Sequence, residues 1–426
     1  MTAVGRRGPL VGLLAAHAVS MTGNVLTLVA LPLYVLMTTG SAAQTGITGF
    51  FATLPVVLGG AFGGVLVDRI GYRRATVLAD LMSGATIALV PLLDSTVGLS
   101  FPSLLGLVFL SGLLDTPGQT ARIALLPEAA QQAGMPLERA VGVLEATERG
   151  ARMLGAPLAG LGVALIGPLS VLALDAVTFA VSALLVVRLV PKNLGARTPV
   201  DATSAQGYWA ELGDGFRFVV REPLLRAIVL LVLLTNLLDA AKTSVLLPVY
   251  AERELGGGAA FGLLVGVMAG GALAGNLGFS AGGHRLPRRP LFVVAFALAG
   301  GPPSLALAAG LPLPWLVAVT ALSGFCAGAI NPIIGVVKLE RVPPGMRARV
   351  YGLIGAGAWA AMPLGSLLAG FAVEHVGLRP TLVAVGVTYL LITLTPLLGG
   401  PWRGLDRRRP NRSSQVSTTY GRPGLR

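Results

Sequence analysis

Ionisable side chains stand inside runs of residues otherwise too apolar for water, and their spacing gathers them on single helical faces. Glu145, Glu148, Arg149 and Arg152 follow at i, i+3, i+4 and i+7. Such a stripe of two acids and two bases has two readings. Glu145–Arg149 and Glu148–Arg152 can pair into a neutral structural ladder, or the carboxylates can exchange protons under the influence of the arginines. Asn236, Asp239, Lys242 and Thr243 share another face, with Asp239 the leading single candidate for proton exchange and a purely structural Asp239–Lys242 pair its rival. Asp115, Gln119 and Arg122, at i, i+4 and i+7, are placed to orient a polar group of a small molecule. Asn24, and Asn331 ahead of Pro332 in an expected helix break, complete the polar set. Charge at mid-bilayer costs at least ~2.5–3.5 kcal/mol on insertion scales, so each of these groups requires a partner or a watery cavity.

The elements that must hold these residues are membrane spans. Of 426 residues 54% are hydrophobic and 12% charged, too little polar surface for a soluble chain of this length. A hydrocarbon core of ~30 Å takes about 20 helical residues to cross, so about twelve spans with short loops fill the chain. Residues 1–190 hold the first six, 191–223 form a polar cytoplasmic linker, and 224–400 hold six more. Residues 401–426 are Arg-, Ser- and Pro-rich and are expected to form a disordered basic cytoplasmic tail. Within the linker Trp209, Leu212, Phe216 and Val219 recur at helical spacing, the pattern of an amphipathic helix on a membrane surface. The N-terminus, with Arg6, Arg7 and Ala16-His17-Ala18, has features of a secretory signal. Apolar character continues to Met37, however, so this segment reads as a retained first span, with His17 a hydrogen-bonded packing residue.

A formal net charge of +13 invites a nucleic-acid reading, but the basic residues are scattered among loops rather than along one face. Alternate loops carry nearly all of them, and the opposite loops hold just Arg253 and Arg379. The positive-inside rule then puts both termini in the cytoplasm of a multi-pass protein of the inner, or plasma, membrane. Lipid and protons, with a small-molecule substrate, are the expected partners of a chain acting as a monomer. Cys326 is the single cysteine, and there are three histidines. Neither a Walker loop, a zinc helix motif nor a nucleophile elbow is present, so no metal, cofactor or enzymatic activity is expected.

The chain also repeats itself. Leu31-Pro32-Leu33-Tyr34 returns as Leu247-Pro248-Val249-Tyr250, Gly46 as Gly262, Arg69 as Arg285, Arg73 as Arg289 and Gly160 as Gly370. Offsets of about 216 residues early and about 210 late mark an internal duplication.

Between the second and third spans, Gly64, Asp68, Arg69, Gly71, Arg73 and Arg74 fill every position of the loop signature of the major facilitator superfamily, which the chain therefore resembles. The resemblance implies an all-α integral membrane fold of two pseudo-symmetric six-helix bundles, with spans 1, 4, 7 and 10 around a central cavity. It also implies a latch on the cytoplasmic side. Asp68 would dock near the start of span 11, by Arg347 and Arg349, while a basic member meets an acid at the end of span 4, where Glu128 is available. The second copy has His284 for Asp68 and Pro287 for Gly71. Gly155-Ala156-Pro157-Leu158-Ala159-Gly160 resembles the exporter motif of span 5, with Ala156 interposed and one trailing glycine kept. Leu125-Leu126-Pro127-Glu128 and Gly215-Phe216-Arg217-Phe218-Val219 are similar to the branch containing macrolide and siderophore exporters. The function expected is proton-coupled export of small amphipathic compounds such as antibiotics by alternating access. A nutrient-uptake carrier is the alternative, and a non-transporting lipid-binding or signalling membrane protein the third.

Overall fold

The computed structural model describes residues 3–192, 194, 205–343 and 346–406, with side chains described except at 3–6, 60–66, 68, 69, 205–212, 284, 348 and 349. The first repeat forms α1 (Ala3–Thr39), α2 (Ala42–Ile70), α3 (Tyr72–Thr96), α4 (Phe101–Gln132), α5 (Leu137–Ile166) and α6 (Pro168–Leu189). A connecting helix, α7 (Ala205–Arg221), follows as the spacing of Trp209, Leu212, Phe216 and Val219 predicts. The second repeat begins with α8 (Pro223–Ala241), which passes through a π turn at Lys242–Leu246 into α9 (Leu247–Glu254). It continues with α10 (Gly258–Gly282), α11 (Arg288–Ala308), α12 (Leu313–Arg341), α13 (Arg347–Trp359), α14 (Met362–Val376) and α15 (Leu378–Thr393).

Among the described residues, eleven helical segments are long and apolar enough to cross a membrane, α8–α9 and α13–α14 each counting once. Helix α5 has 30 residues, about 45 Å, and is the twelfth by position; its charged stripe keeps it off that set. Gly71 ends α2 and starts α3 at a φ of 89°, a backbone state open to glycine at little cost, which gives the loop signature's second glycine its physical meaning. Proline does not break α12. Asn331–Pro332 was expected to interrupt it, yet the helix runs unbroken to Arg341. Ordered chain also reaches past residue 401: Gly400–Leu405 forms a 3₁₀ turn whose Trp402 and Leu405 are buried against Phe292 and Leu224.

Among the described residues, apart from a small cluster of Val67, Ala75 and Ala121, buried apolar side chains collect in three cores, and their distribution gives the conformation. One core draws on both bundles, with Val29, Leu33, Val163 and Leu172 from the first meeting Val249, Phe261, Val373 and Leu382 from the second. Toward the end carrying the basic loops each bundle keeps a core of its own: Leu13, Leu125, Ala140 and Val186 in the first, Leu225, Phe292, Ile333 and Val350 in the second. Among the described residues the bundles thus share a core at one end and keep separate cores at the basic end.

Two helix crossings make the joint, α2 on α14 and α5 on α10. Gly46 faces Gly370 in one, and Gly160 faces Gly262 in the other. A Cβ on any of the four would come within 2.8–2.9 Å of the facing Cα. These are the positions that the internal repeat superimposes, so the crossings are copies of one another and near backbone contact is what requires glycine there.

Candidate transport site

Helix α4 presents Asp115, Gly118 and Arg122 to the interior of the first bundle. Gly118 allows α3 to approach, since a Cβ would sit 2.7 Å from Cβ of Ala79. Arg122 is wholly buried at 0% exposure. Its Nη1 donates to both carboxylate oxygens of Asp80 on α3, at 2.8 and 3.2 Å, and to Oγ of Ser182 on α6 at 3.2 Å. Nη2 donates to Oγ of Ser20 on α1 at 3.1 Å and lies 3.6 Å from Oδ1 of Asp115. Ser182 in turn donates to Asp80 at 2.7 Å. One guanidinium therefore ties together four helices, and removing one member of such a buried pair typically costs about 3–5 kcal/mol. Asp115 Oδ2 accepts from Asn24 at 3.0 Å and from Gln119 at 2.6 Å, while its Oδ1 is buried without a hydrogen-bond donor. Nearby on α6, buried Asp175 accepts from Thr27 and Thr178, and Gly23 on α1 leaves the space for both Asp175 and Thr178.

Gln119 meets Asp115 at the i, i+4 spacing, and the packing of α1 on α4 brings Asn24 to the same carboxylate. Arg122 is wholly buried, with its Nη donors taken inside the bundle and Nε buried without a partner. Asp80 and Asp175 were missed at the sequence level, because neither has a charged or amide side chain one helical turn away, as Asp115 has in Gln119; the cost of an acid in an apolar run is the signal that could have found them.

The α5 ladder does not form. Among the described residues Glu148 bonds to His17 Nε2 on α1 at 3.1 Å, not to Arg152, and no ion pair joins Glu145 to Arg149. His17 is 1% exposed and its Nδ1 has no partner, whereas the Glu148 side chain stays 44% exposed. A rigid buried imidazole needs the carboxylate as acceptor or counter-charge more than a flexible exposed arginine does. Glu145 and Arg152 are exposed, Arg149 half-buried.

In the second bundle Lys242 Nζ lies 2.8 Å from Asp239, and Tyr389 on α15 donates to the other carboxylate oxygen at 3.4 Å. Lys242 opens the π turn and is buried; the Asp239 side chain keeps 37% of its exposure. Irregular backbone beside a buried charge is common at working sites in helices. Asn236 donates to the Ala358 carbonyl at 2.7 Å, holding the end of α13 just before the break into α14. Asn331 is exposed on α12.

At the basic end, Gly64, Asp68 and Arg69 sit in the last turns of α2, but their side chains, like that of Arg349, lie outside the described residues. Arg73 is not the base that reaches toward Glu128. It donates to the carbonyls of Val190 and Val187, at 2.7 and 2.9 Å, capping the end of α6. Its repeat counterpart Arg289 does the same for the last span, at 2.8 Å to Pro396 and 3.0 Å to Leu397. Arg347 caps α12 through Val342 and Leu339, at 3.4 and 3.2 Å. Arg74 is exposed, and Glu128 accepts from Gln132 at 3.5 Å. At the opposite end Glu374, expected to be a solvated loop charge, accepts from Ser41 Oγ at 3.3 Å and the Ala43 amide at 3.4 Å. It bridges the bundles at the N-terminus of α2, where a carboxylate is favoured by the helix dipole.

Two duplicated helical bundles, sharing a core at one end and keeping separate cores at the other around buried charge, define a polytopic membrane carrier rather than an enzyme. The chain belongs to the major facilitator superfamily, whose pattern matches residues 13–284 and again 229–419. Among its relatives is the multidrug efflux pump Tap of Mycolicibacterium fortuitum, 33% identical over 410 residues, 94% of this chain and 98% of that protein. The enterobactin exporter EntS of Salmonella typhi is 28% identical over 362 residues, 83% of each chain. In solved structures the fold is shared with a mutant of the nucleoside transporter NupG, at a TM-score of 0.74, 15% identity, and coverage of 90% of this chain and 98% of that one.

Proposed function

We propose that this protein exports small amphipathic compounds in exchange for protons, its two bundles rocking about the charged centre, with the basic end in the cytoplasm. The basic end, with its separate cores, is then the open side of an inward-open state ready to load. Residues 1–190 and 224–400 act as the two moving bodies, with 191–223 as the cytoplasmic linker between them. The observation that carries the reading is the pairing of one shared core with two separate ones, which sets carboxylates on α4 and α8 between a closed and an open end. Export, rather than uptake, is supported by the likeness to proteins named as efflux pumps and exporters. Asp239 and Glu148 each keep an exposed carboxylate edge beside a basic partner.

Purified protein in liposomes, oriented with the basic end outward and loaded with acid buffer, should accumulate the fluorescent probe ethidium and lose it on adding a protonophore. Accumulation that ignores the proton gradient would refute proton coupling. Counterflow of a labelled sugar or amino acid in place of ethidium would mark a nutrient carrier.

A further inference from the structure

Arg122 is divided unequally between two acids. Asp80 receives two hydrogen bonds from it, while Asp115 is held at 3.6 Å with Oδ1 buried and undonated. We infer that Asp115 is the carboxylate that exchanges the transported proton, and that Arg122 is its switch, kept in place by Asp80 on α3. This deepens the proton-coupled reading and rests on it. It also carries the coupling device to α3, a helix outside the four that line the cavity.

The charge count comes first. Asp80 and Asp115 share the single base Arg122, and buried Asp175 adds a third acid, so ionised Asp115 leaves uncompensated negative charge that a proton on Oδ1 reduces. The second bundle differs, because Asp239 is matched one to one by Lys242. The surroundings of Asp115 suit either state. From α1 it meets the neutral Asn24, while Ser20 of α1 and Ser182 of α6 bond to Arg122; the acids Asp80 of α3 and Asp175 of α6 face it through charge. Helix α2 brings Ala52, Pro55 and Gly59 against α4, and α5 contributes Glu148, already engaged by His17. Asn24 and Gln119 both donate to Oδ2, fixing the carboxyl plane and leaving Oδ1 as the atom that gains or loses hydrogen.

The cycle balances as a proton transfer. A hydronium ion of the acidic compartment gives its proton to Oδ1, forming an O–H bond and leaving water, and Arg122 settles on Asp80. In the opposite conformation water on the other side takes the proton back, and Nη2 of Arg122 closes on the carboxylate. Since Arg122 joins α1, α3, α4 and α6, its movement between the two acids is transmitted to the whole first bundle.

The test uses full-length protein in liposomes with ethidium, comparing uptake driven by a pH gradient with counterflow at equal pH. Wild type must show gradient-driven uptake; if it does not, the proton-coupled reading itself fails. Given that uptake, Asp115→Asn is expected to lower the ratio of gradient-driven uptake to counterflow at least tenfold. Asp80→Asn is expected to lower it as well, because the released Arg122 then neutralises Asp115 one to one. A ratio retained in either variant overturns the inference. Should Asp115→Asn fail to fold, Asp115→Glu decides: coupling with a displaced pH profile supports the assignment, and an unchanged profile overturns it. Infrared spectra read the group without substrate. A carboxylic C=O band that titrates in wild type should vanish in Asp115→Asn, and its persistence there would also overturn the inference.

Discussion

Replacing Gly46 by alanine should push the carrier out of the state seen here toward one open at the opposite end. The new Cβ would stand 2.6 Å from the Ser366 carbonyl oxygen and 2.8 Å from Cα of Gly370. Both are backbone atoms of α14, so no side chain can swing aside, and α2 and α14 must separate. Overpacking of this kind costs about 1–3 kcal/mol. That penalty exists only while the crossing is closed, so it appears as a shift of roughly 5- to 150-fold in the conformational equilibrium. Gly160→Ala should act alike, because its Cβ would meet Cα of Gly262 at 2.9 Å in the copied crossing. With Cys326 replaced by serine, spin labels at exposed Thr39 and Val376, near the closing ends of α1 and α14, would report the separation by pulsed electron resonance. A longer-distance population should grow in both variants. An unchanged distance distribution, accompanied by a fall in Tm, would mean that the glycines serve only packing, and the argument from the crossings would be wrong.

Glu374→Gln should produce a smaller shift in the same direction, about two- to fivefold, since a charged acceptor at the N-terminus of α2 contributes roughly 0.3–1 kcal/mol, and the same label pair would detect it. Arg73→Ala and Arg289→Ala each remove two bonds from a cation to terminal carbonyls, a loss of about 1.5–3 kcal/mol per bond at most; thermal unfolding should show similar drops for both, and a drop in one alone would contradict their equivalence. Asp239→Asn strands the buried Lys242 ammonium and should destabilise the protein by about 3–5 kcal/mol, with Lys242→Met added to the same chain restoring most of the lost Tm; no recovery would show that the pair is not the main source of the cost.

The sequence by itself determined what depends on local composition and on repetition. Apolar runs set the spans, because the bilayer demands length and greasiness of any helix that crosses it. Polar loops and glycines such as Gly71 set their ends. The internal repeat set the two-bundle plan, to the point that Gly46 and Gly262, or Arg73 and Arg289, occupy equivalent places in the fold. Helical spacing offered pairs within one helix, such as Asp239 with Lys242, but tertiary structure decided the partners across helices. Glu148 has Arg152 one turn away in the chain, yet bonds to His17, 131 positions distant, because α1 and α5 meet at that level. Asp80 is solitary in its own span and becomes the main partner of Arg122 only when α3 and α4 pack at the register that Gly118 permits. Helical spacing fixes which side chains share a face, but the height and rotation of a neighbouring helix are set by packing across the whole bundle. A buried charge takes whichever partner that packing delivers.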